Sequence, residues 1–199
     1  MTKYEKLITC RRTVLEMLSD RDHNIDKYLN NKGDIDDISV NQIKIDYNEN
    51  NLKIQINEEN ETLCVLFYEE KIGIEMMKEI INNVMKEQKI SHLILVIREK
   101  LTSFAKKELN NIPPNFQIEV FLQQNVLFNV THHIKVPKHQ LIQDNEQIKN
   151  ILEIYGKGLP KITKSDPLSR YYNGKIGQIF KIYRQSTIYY RQIINDIDK

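Results

Sequence analysis

Tyr4, Leu7, Ile8, Val14, Leu15 and Leu18 recur at helical spacing, which predicts an amphipathic helix opening the chain and ending near Asp20. Arg11 and Arg12 fall on or near its polar face. The run Asn30-Asn31-Lys32-Gly33-Asp34 is a loop by composition. Residues 43–47 and 52–56 alternate apolar and polar on either side of Asn48-Glu49-Asn50-Asn51, the pattern of a β-hairpin with a polar turn. Leu63-Cys64-Val65-Leu66-Phe67-Tyr68 is continuously apolar and predicts a more central strand. A second helix follows Gly73, with Ile74, Met77, Ile80, Ile81 and Val84 on its stripe.

Residues 93–97 give another apolar strand, then a polar loop and a short helix over 104–109, broken by Pro113-Pro114. Strands are expected at 116–122 and 126–130. Helices alternating with apolar strands imply an α/β layer. The composition changes at Thr131-His132-His133. Beyond it, Asp144 and Gln147 form a capping-box pattern, Ile148, Ile151, Leu152 and Tyr155 a stripe, and Gly156 a stop. Asp166-Pro167 reads as a helix start, a carboxylate cap followed by a proline at the first helical position. Strands are expected from Ile176 to Ile182 and over 189–194. This second unit holds roughly 70 residues, a size at which one core supplies only a few kcal/mol, so a partner is expected to support it.

Charge narrows the function classes. Lys+Arg 29 against Asp+Glu 27 leaves +2 on 199 residues, so nucleic-acid contact needs a local patch and not a global field. No window is long and apolar enough for a membrane helix, and the first residues do not lead into a signal-peptide core. Cys10 and Cys64 sit in apolar-periodic segments and read as reduced, buried thiols.

Candidate chemistry is sparse. His132 and His133 are adjacent and point apart in extended chain, so with His139 they read as a hinge bonded to backbone and not as a metal site. A metal-dependent nuclease would use Glu99 or Glu119, but Glu119 is followed by no Lys at the required offset and Glu99 lies at a strand exit beside Arg98 and Lys100, which reads as a solvated strand end. The best basic patch is Arg98, Lys100, Lys106 and Lys107 around Thr102 and Ser103, whose hydroxyls and helix start suit phosphate oxygens. No cofactor is expected.

Two long motifs carry a resemblance. Phe128-Asn129-Val130-Thr131-His132-His133-Ile134-Lys135-Val136-Pro137-Lys138-His139 is one. The other runs from Leu159-Pro160-Lys161-Ile162 through Ser165-Asp166-Pro167-Leu168-Ser169-Arg170-Tyr171-Tyr172 to Gly177-Gln178-Ile179-Phe180-Lys181-Ile182-Tyr183-Arg184-Gln185-Ser186. Both resemble the fifth-largest subunit shared by the eukaryotic RNA polymerases, whose archaeal counterpart has only the assembly domain. Arg11-Arg12-Thr13-Val14-Leu15-Glu16-Met17-Leu18 extends the likeness to the first helix. Thr102-Ser103-Phe104-Ala105 departs from the family's usual Thr-Pro-Ser-Ala, and the C-terminal hairpin lacks its usual glycine turn.

The resemblance implies an α/β jaw domain over 1–130, with a mixed sheet, flanking helices and a nuclease-like topology. It also implies a small α+β assembly domain over 131–199. The implied role is a non-catalytic polymerase subunit in a hetero-oligomer. Its assembly domain docks on the largest subunit near the small sixth subunit, and its jaw lies by downstream duplex DNA with weak, non-specific contact. DNA-proximal positions are Arg98, Lys100, Thr102, Ser103 and Lys106; docking positions are His133, Pro137, His139, Asp166, Pro167, Arg170, Tyr171 and Gly177. The implied location is the nucleus, or a cytoplasmic viral factory or virion for a virus-encoded copy, which the Asn/Ile/Lys-rich composition brings into view. The alternatives are a nuclease-like enzyme and a free-standing DNA-binding protein.

Overall fold

The computed structural model describes residues 1–48, 52–58, 62–86 and 90–196. The chain divides into two units, Met1–Phe128 and Asn129–Lys199. In the first, α1 (Lys3–Asp20) starts at a capping box: the Thr2 hydroxyl accepts from the Glu5 N–H, and the Glu5 carboxylate accepts from the Thr2 N–H at 2.7 Å. Leu7, Cys10, Val14, Leu15, Met17 and Leu18 are buried. Arg11 is also buried, not on the polar face, and donates to the Asp36 carbonyl at 3.2 Å; Arg12 stays outside and pairs with Asp37.

The expected hairpin is not formed. Residues 43–47 lie in α2 (Val40–Asn48), which Ser39 caps by accepting from the Gln42 N–H at 3.1 Å. Ile43 is fully buried, and Tyr47, one turn on, sets its ring edge-on to Tyr4 at 6.4 Å; Ile45 is exposed. The i, i+4 pair decides, because Ile45 has no buried face to reach. Of the expected turn, Asn48 closes α2 and residues 49–51 lie outside the described residues. β1 (Lys53–Asn57) pairs antiparallel with β2 (Thr62–Tyr68) instead.

α3 (Ile74–Lys86), β3 (Ile90–Ile97), α4 (Ser103–Glu108) and β4 (Gln117–Leu122) complete a mixed sheet of order β1-β2-β3-β4, parallel from β2 to β4. Strand alternation divides its side chains. Cys64, Leu93, Leu95 and Ile97 pack with Met77, Ile80 and Val84 of α3 and Ala105 of α4. Val65, Phe67, Ile94, Val96 and Phe121 face the other way, toward α1. The sheet edge at β1 is covered at Gln55: the Tyr28 hydroxyl accepts from the Gln55 N–H at 2.8 Å and donates to the Gln55 carbonyl at 3.2 Å, where Lys27 also donates.

No strand forms over 126–130. Val126 ends α5 (Gln123–Val126), and Val130 opens a 3-10 turn to His132. Asn129 bends the chain by accepting from the N–H and hydroxyl of Thr131 at 2.9 and 2.7 Å.

The second unit holds β5 (Lys138–Ile142), α6 (Asn145–Tyr155), β6 (Lys161–Thr163), α7 (Pro167–Tyr171), β7 (Ile179–Arg184) and β8 (Thr187–Ile194). Its sheet has the order β5-β7-β8-β6, antiparallel except for the short β6–β8 pair. Ile162, Phe180, Ile182 and Ile193 form one buried cluster, with Leu141 and Tyr172 against it, and Ile142, Leu159, Tyr171 and Ile179 are buried as well. Asp144 caps α6 by accepting from the Gln147 N–H at 2.8 Å, yet no α6 residue is buried. β7 begins at Ile179 and not at Ile176, which is exposed in a turn made by Gly177 at φ +93°.

Candidate docking and nucleic-acid surfaces

The two motifs of the second unit are far apart in sequence and meet in space. Asn129 donates to the Tyr171 hydroxyl at 3.0 Å, and the His139 ring stands edge-on to Phe180 at 5.7 Å, with Tyr172 on Phe180 at 5.8 Å. Asp166 caps α7 by accepting from the Leu168 N–H at 2.9 Å, and Pro167 occupies the first helical turn. Burial pushes the His139 imidazole below its ordinary value, against the opposing pull of the Pro137 carbonyl at 2.6 Å and of Asp166.

The expected docking positions thus differ in what they offer. His133 and Pro167 are exposed, while Pro137, Asp166, Arg170 and Gly177 are half-buried. Tyr171 is only 5% exposed and serves the interior, and His139 is packed against Phe180. Gly177 sustains a positive φ while its N–H donates to the Ile193 carbonyl at 2.9 Å, so it fixes the approach of the loop to β8.

In the first unit, Thr102 caps α4 by accepting from the Ala105 N–H at 3.2 Å, so the helix start forms without a proline. Lys100, Ser103, Lys106 and Lys107 are exposed, and Arg98 pairs with Glu99 at 2.8 Å. Lys100, Lys106 and Lys107 have no carboxylate partner among the described residues. Phe104 projects among them, 65% exposed, with the Lys107 ammonium 5.8 Å from its ring. The patch is local: residues 1–128 carry 17 Lys/Arg against 21 Asp/Glu, whereas residues 129–199 carry 12 against 6.

Glu119 is not arranged for metal chemistry. Arg21 clamps it bidentately at 2.7 and 2.9 Å, and His92 bonds the same carboxylate at 2.8 Å. Burial pushes Glu119 up, but the His92 and Arg21 bonds outweigh it and hold the carboxyl at about 2. Among the described residues no three His, Cys, Asp or Glu side chains are grouped to hold a metal ion. The sequence reading missed this cluster because Arg21 and Glu119 are 98 positions apart. Register supplies the link: His92 and Glu119 are diagonal neighbours on one face of β3 and β4.

Both units are thus built on a mixed sheet with helices beside it. Residues 128–193 match the C-terminal domain of RNA polymerase Rpb5. The chain is 30% identical to the RPABC1 subunit of DNA-directed RNA polymerases I, II and III from Caenorhabditis elegans, over 91% of this chain and 90% of the relative. It is 29% identical to the corresponding Dictyostelium discoideum subunit, over 94% and 93%. It is also 30% identical to DNA-directed RNA polymerase subunit 5-like protein 1 of Arabidopsis thaliana, over 90% and 89%. The chain belongs to the Rpb5 (RPABC1) family of RNA polymerase subunits.

Proposed function

We propose that this chain is a non-catalytic subunit of a multisubunit DNA-directed RNA polymerase, with phosphodiester chemistry carried by other subunits. The observation that carries the reading is likeness to shared polymerase subunits along nearly the full length of both chains. The unit Asn129–Lys199 is the assembly domain and docks on the largest subunit, near the small sixth subunit, through the surface around His133, Pro137, Asp166, Pro167, Arg170 and Gly177. Tyr171 and His139 hold that surface in shape from behind. The unit Met1–Phe128 is the jaw, nuclease-like in its crossover sheet, and its patch of Lys100, Thr102, Ser103 and Lys106, with Arg98, lies by downstream duplex DNA. Location follows the polymerase, which for a eukaryotic enzyme is the nucleus.

Affinity purification of the tagged chain from its native cells tests this reading. The largest polymerase subunit is expected to co-elute. Asp166→Asn, which keeps the cap acceptor and removes its charge, combined with Arg170→Ala is expected to lower that recovery while circular dichroism of the purified chain stays unchanged. Unchanged recovery removes this surface, and absence of any polymerase subunit removes the reading itself.

A further inference from the structure

We propose that the open edge of β8, residues 187–191, receives an extended acidic and apolar segment of another polymerase subunit as an added strand. The proposal rests on the polymerase-subunit reading above and names the chemistry of one interface within it.

β8 pairs with β7 from Thr187 to Gln192, but β6 covers only Gln192, Ile193 and Ile194. Five residues of β8 therefore have a neighbour on one side alone. The direction of their backbone groups follows from the register. The Gln192 N–H donates outward to the Pro160 carbonyl at 2.9 Å, and the Ile193 N–H donates inward to the Gln178 carbonyl at 2.8 Å. Alternation then turns the N–H and C=O of Tyr190 and Ile188 outward, giving two donors and two acceptors along one line. None of these four groups has a backbone partner on that side among the described residues. Tyr155 of α6 meets the Tyr190 ring at 5.6 Å, so α6 covers a face of the strand and leaves its edge.

Two of the usual protections of an edge, a bulge and a proline, are missing. β7 and β8 pair without a bulge, and β8 contains no proline. The other unit shows the protected form of the same problem, where Tyr28 occupies both the donor and the acceptor of Gln55 at the β1 edge. The side chains around the β8 edge state what fits. Ile188 and Tyr189 are 48% and 49% exposed, which asks for apolar residues in the added strand. Arg184 lies over Tyr189 at 5.3 Å, Arg191 is exposed, and neither has a carboxylate partner among the described residues. With 12 Lys/Arg against 6 Asp/Glu in residues 129–199, the matching segment carries acids. Main-chain bonds give such an interface its affinity, and the flanking side chains its choice of partner.

Hydrogen–deuterium exchange on the assembled polymerase and on the free chain tests the added strand. The Ile188 and Tyr190 amides are expected to exchange rapidly in the free chain and to slow by about a hundredfold on assembly, while the inward Tyr189 amide is protected in both. Ile188→Pro removes one outward donor and leaves the β7 pairing, since the missing N–H faces away from it. It is expected to lower recovery of the polymerase with the tagged chain about tenfold, with Ile188→Ala within about twofold. Incorporated chain with both amides still fast overturns strand addition and leaves the polymerase reading standing; failure to incorporate at all sinks that reading instead. Slowing of the same amides by duplex DNA alone, or by self-association of the free chain, overturns the acidic subunit segment as occupant.

Discussion

The two sheets of this chain have equal strand counts and opposite degrees of closure. In the first unit, α3 and α4 cover one face and α1 the other, and Tyr28 covers the β1 edge at Gln55. In the second, α6 buries none of its own residues, and β8 leaves five residues unpaired on one side. Large apolar residues are exposed to match, with Ile134 at 96% and Ile154 at 77%. The difference shows where support comes from. The first unit pairs its buried charge cluster within its own chain, whereas the second presents unfilled backbone and apolar surface of the kind an obligate partner fills.

The cluster is the strongest place to break this contrast. Glu119→Ala leaves the Arg21 guanidinium buried, only 4% exposed, without its clamp. The first unit is expected to lose about 3–5 kcal/mol in chemical denaturation, while hydrogen exchange in 129–196 stays as before. Loss of protection in both units together would show that they unfold as one. The wild-type pair also predicts an acid limit. Because the folded carboxyl sits at about 2, below its unfolded value, its stabilisation is full above that unfolded value and is lost as pH falls toward 2. An acid titration of the first unit followed by NMR reads this directly, and Glu119→Gln flattens it.

A smaller effect comes from uncovering the β1 edge at Gln55. Tyr28→Phe keeps the ring and removes the hydroxyl that serves both polar groups of Gln55. The expected loss is about 1–2 kcal/mol, with faster exchange of the Gln55 amide. If neither changes, the contrast between a closed and an open edge loses its physical basis.

How far sequence alone reaches varies with the range of the interaction. Asp144, Thr102 and Asp166 act as caps where local chemistry places them, and the apolar runs 63–68 and 93–97 lie in β2 and β3. The failures are also local in origin. Alternation over 43–47 satisfies a strand and a helix almost equally, and the burial of Ile43 with exposure of Ile45 settles it only in the folded unit. The apolar string at 126–130 is bent by the side chain of Asn129, a turn signal hidden inside hydrophobic sequence. For the surfaces, residue type locates the basic patch and the two long motifs. The Arg21–Glu119–His92 cluster and the open β8 edge depend on register, which no local pattern states.

The smallest expected effect concerns the basic patch of the first unit, which we propose lies by DNA. Three ammonium groups, on Lys100, Lys106 and Lys107, stand free of carboxylates among the described residues, inside a unit whose charge balance is acidic. On the jaw reading proposed above, long-range attraction to DNA is weak, and contact with the duplex would rest on short-range phosphate pairing within the assembled polymerase. Each lysine–phosphate pair removed lowers the slope of log affinity against log salt by about 0.9. Lys100→Ala with Lys106→Ala is expected to lower that slope by about 2 for the assembled polymerase on downstream duplex, with only a few-fold loss of affinity at moderate salt. The free chain is expected to show little binding before or after the change. A slope that does not move would place the DNA elsewhere, and strong binding by the free chain would replace the jaw by an autonomous DNA-binding surface.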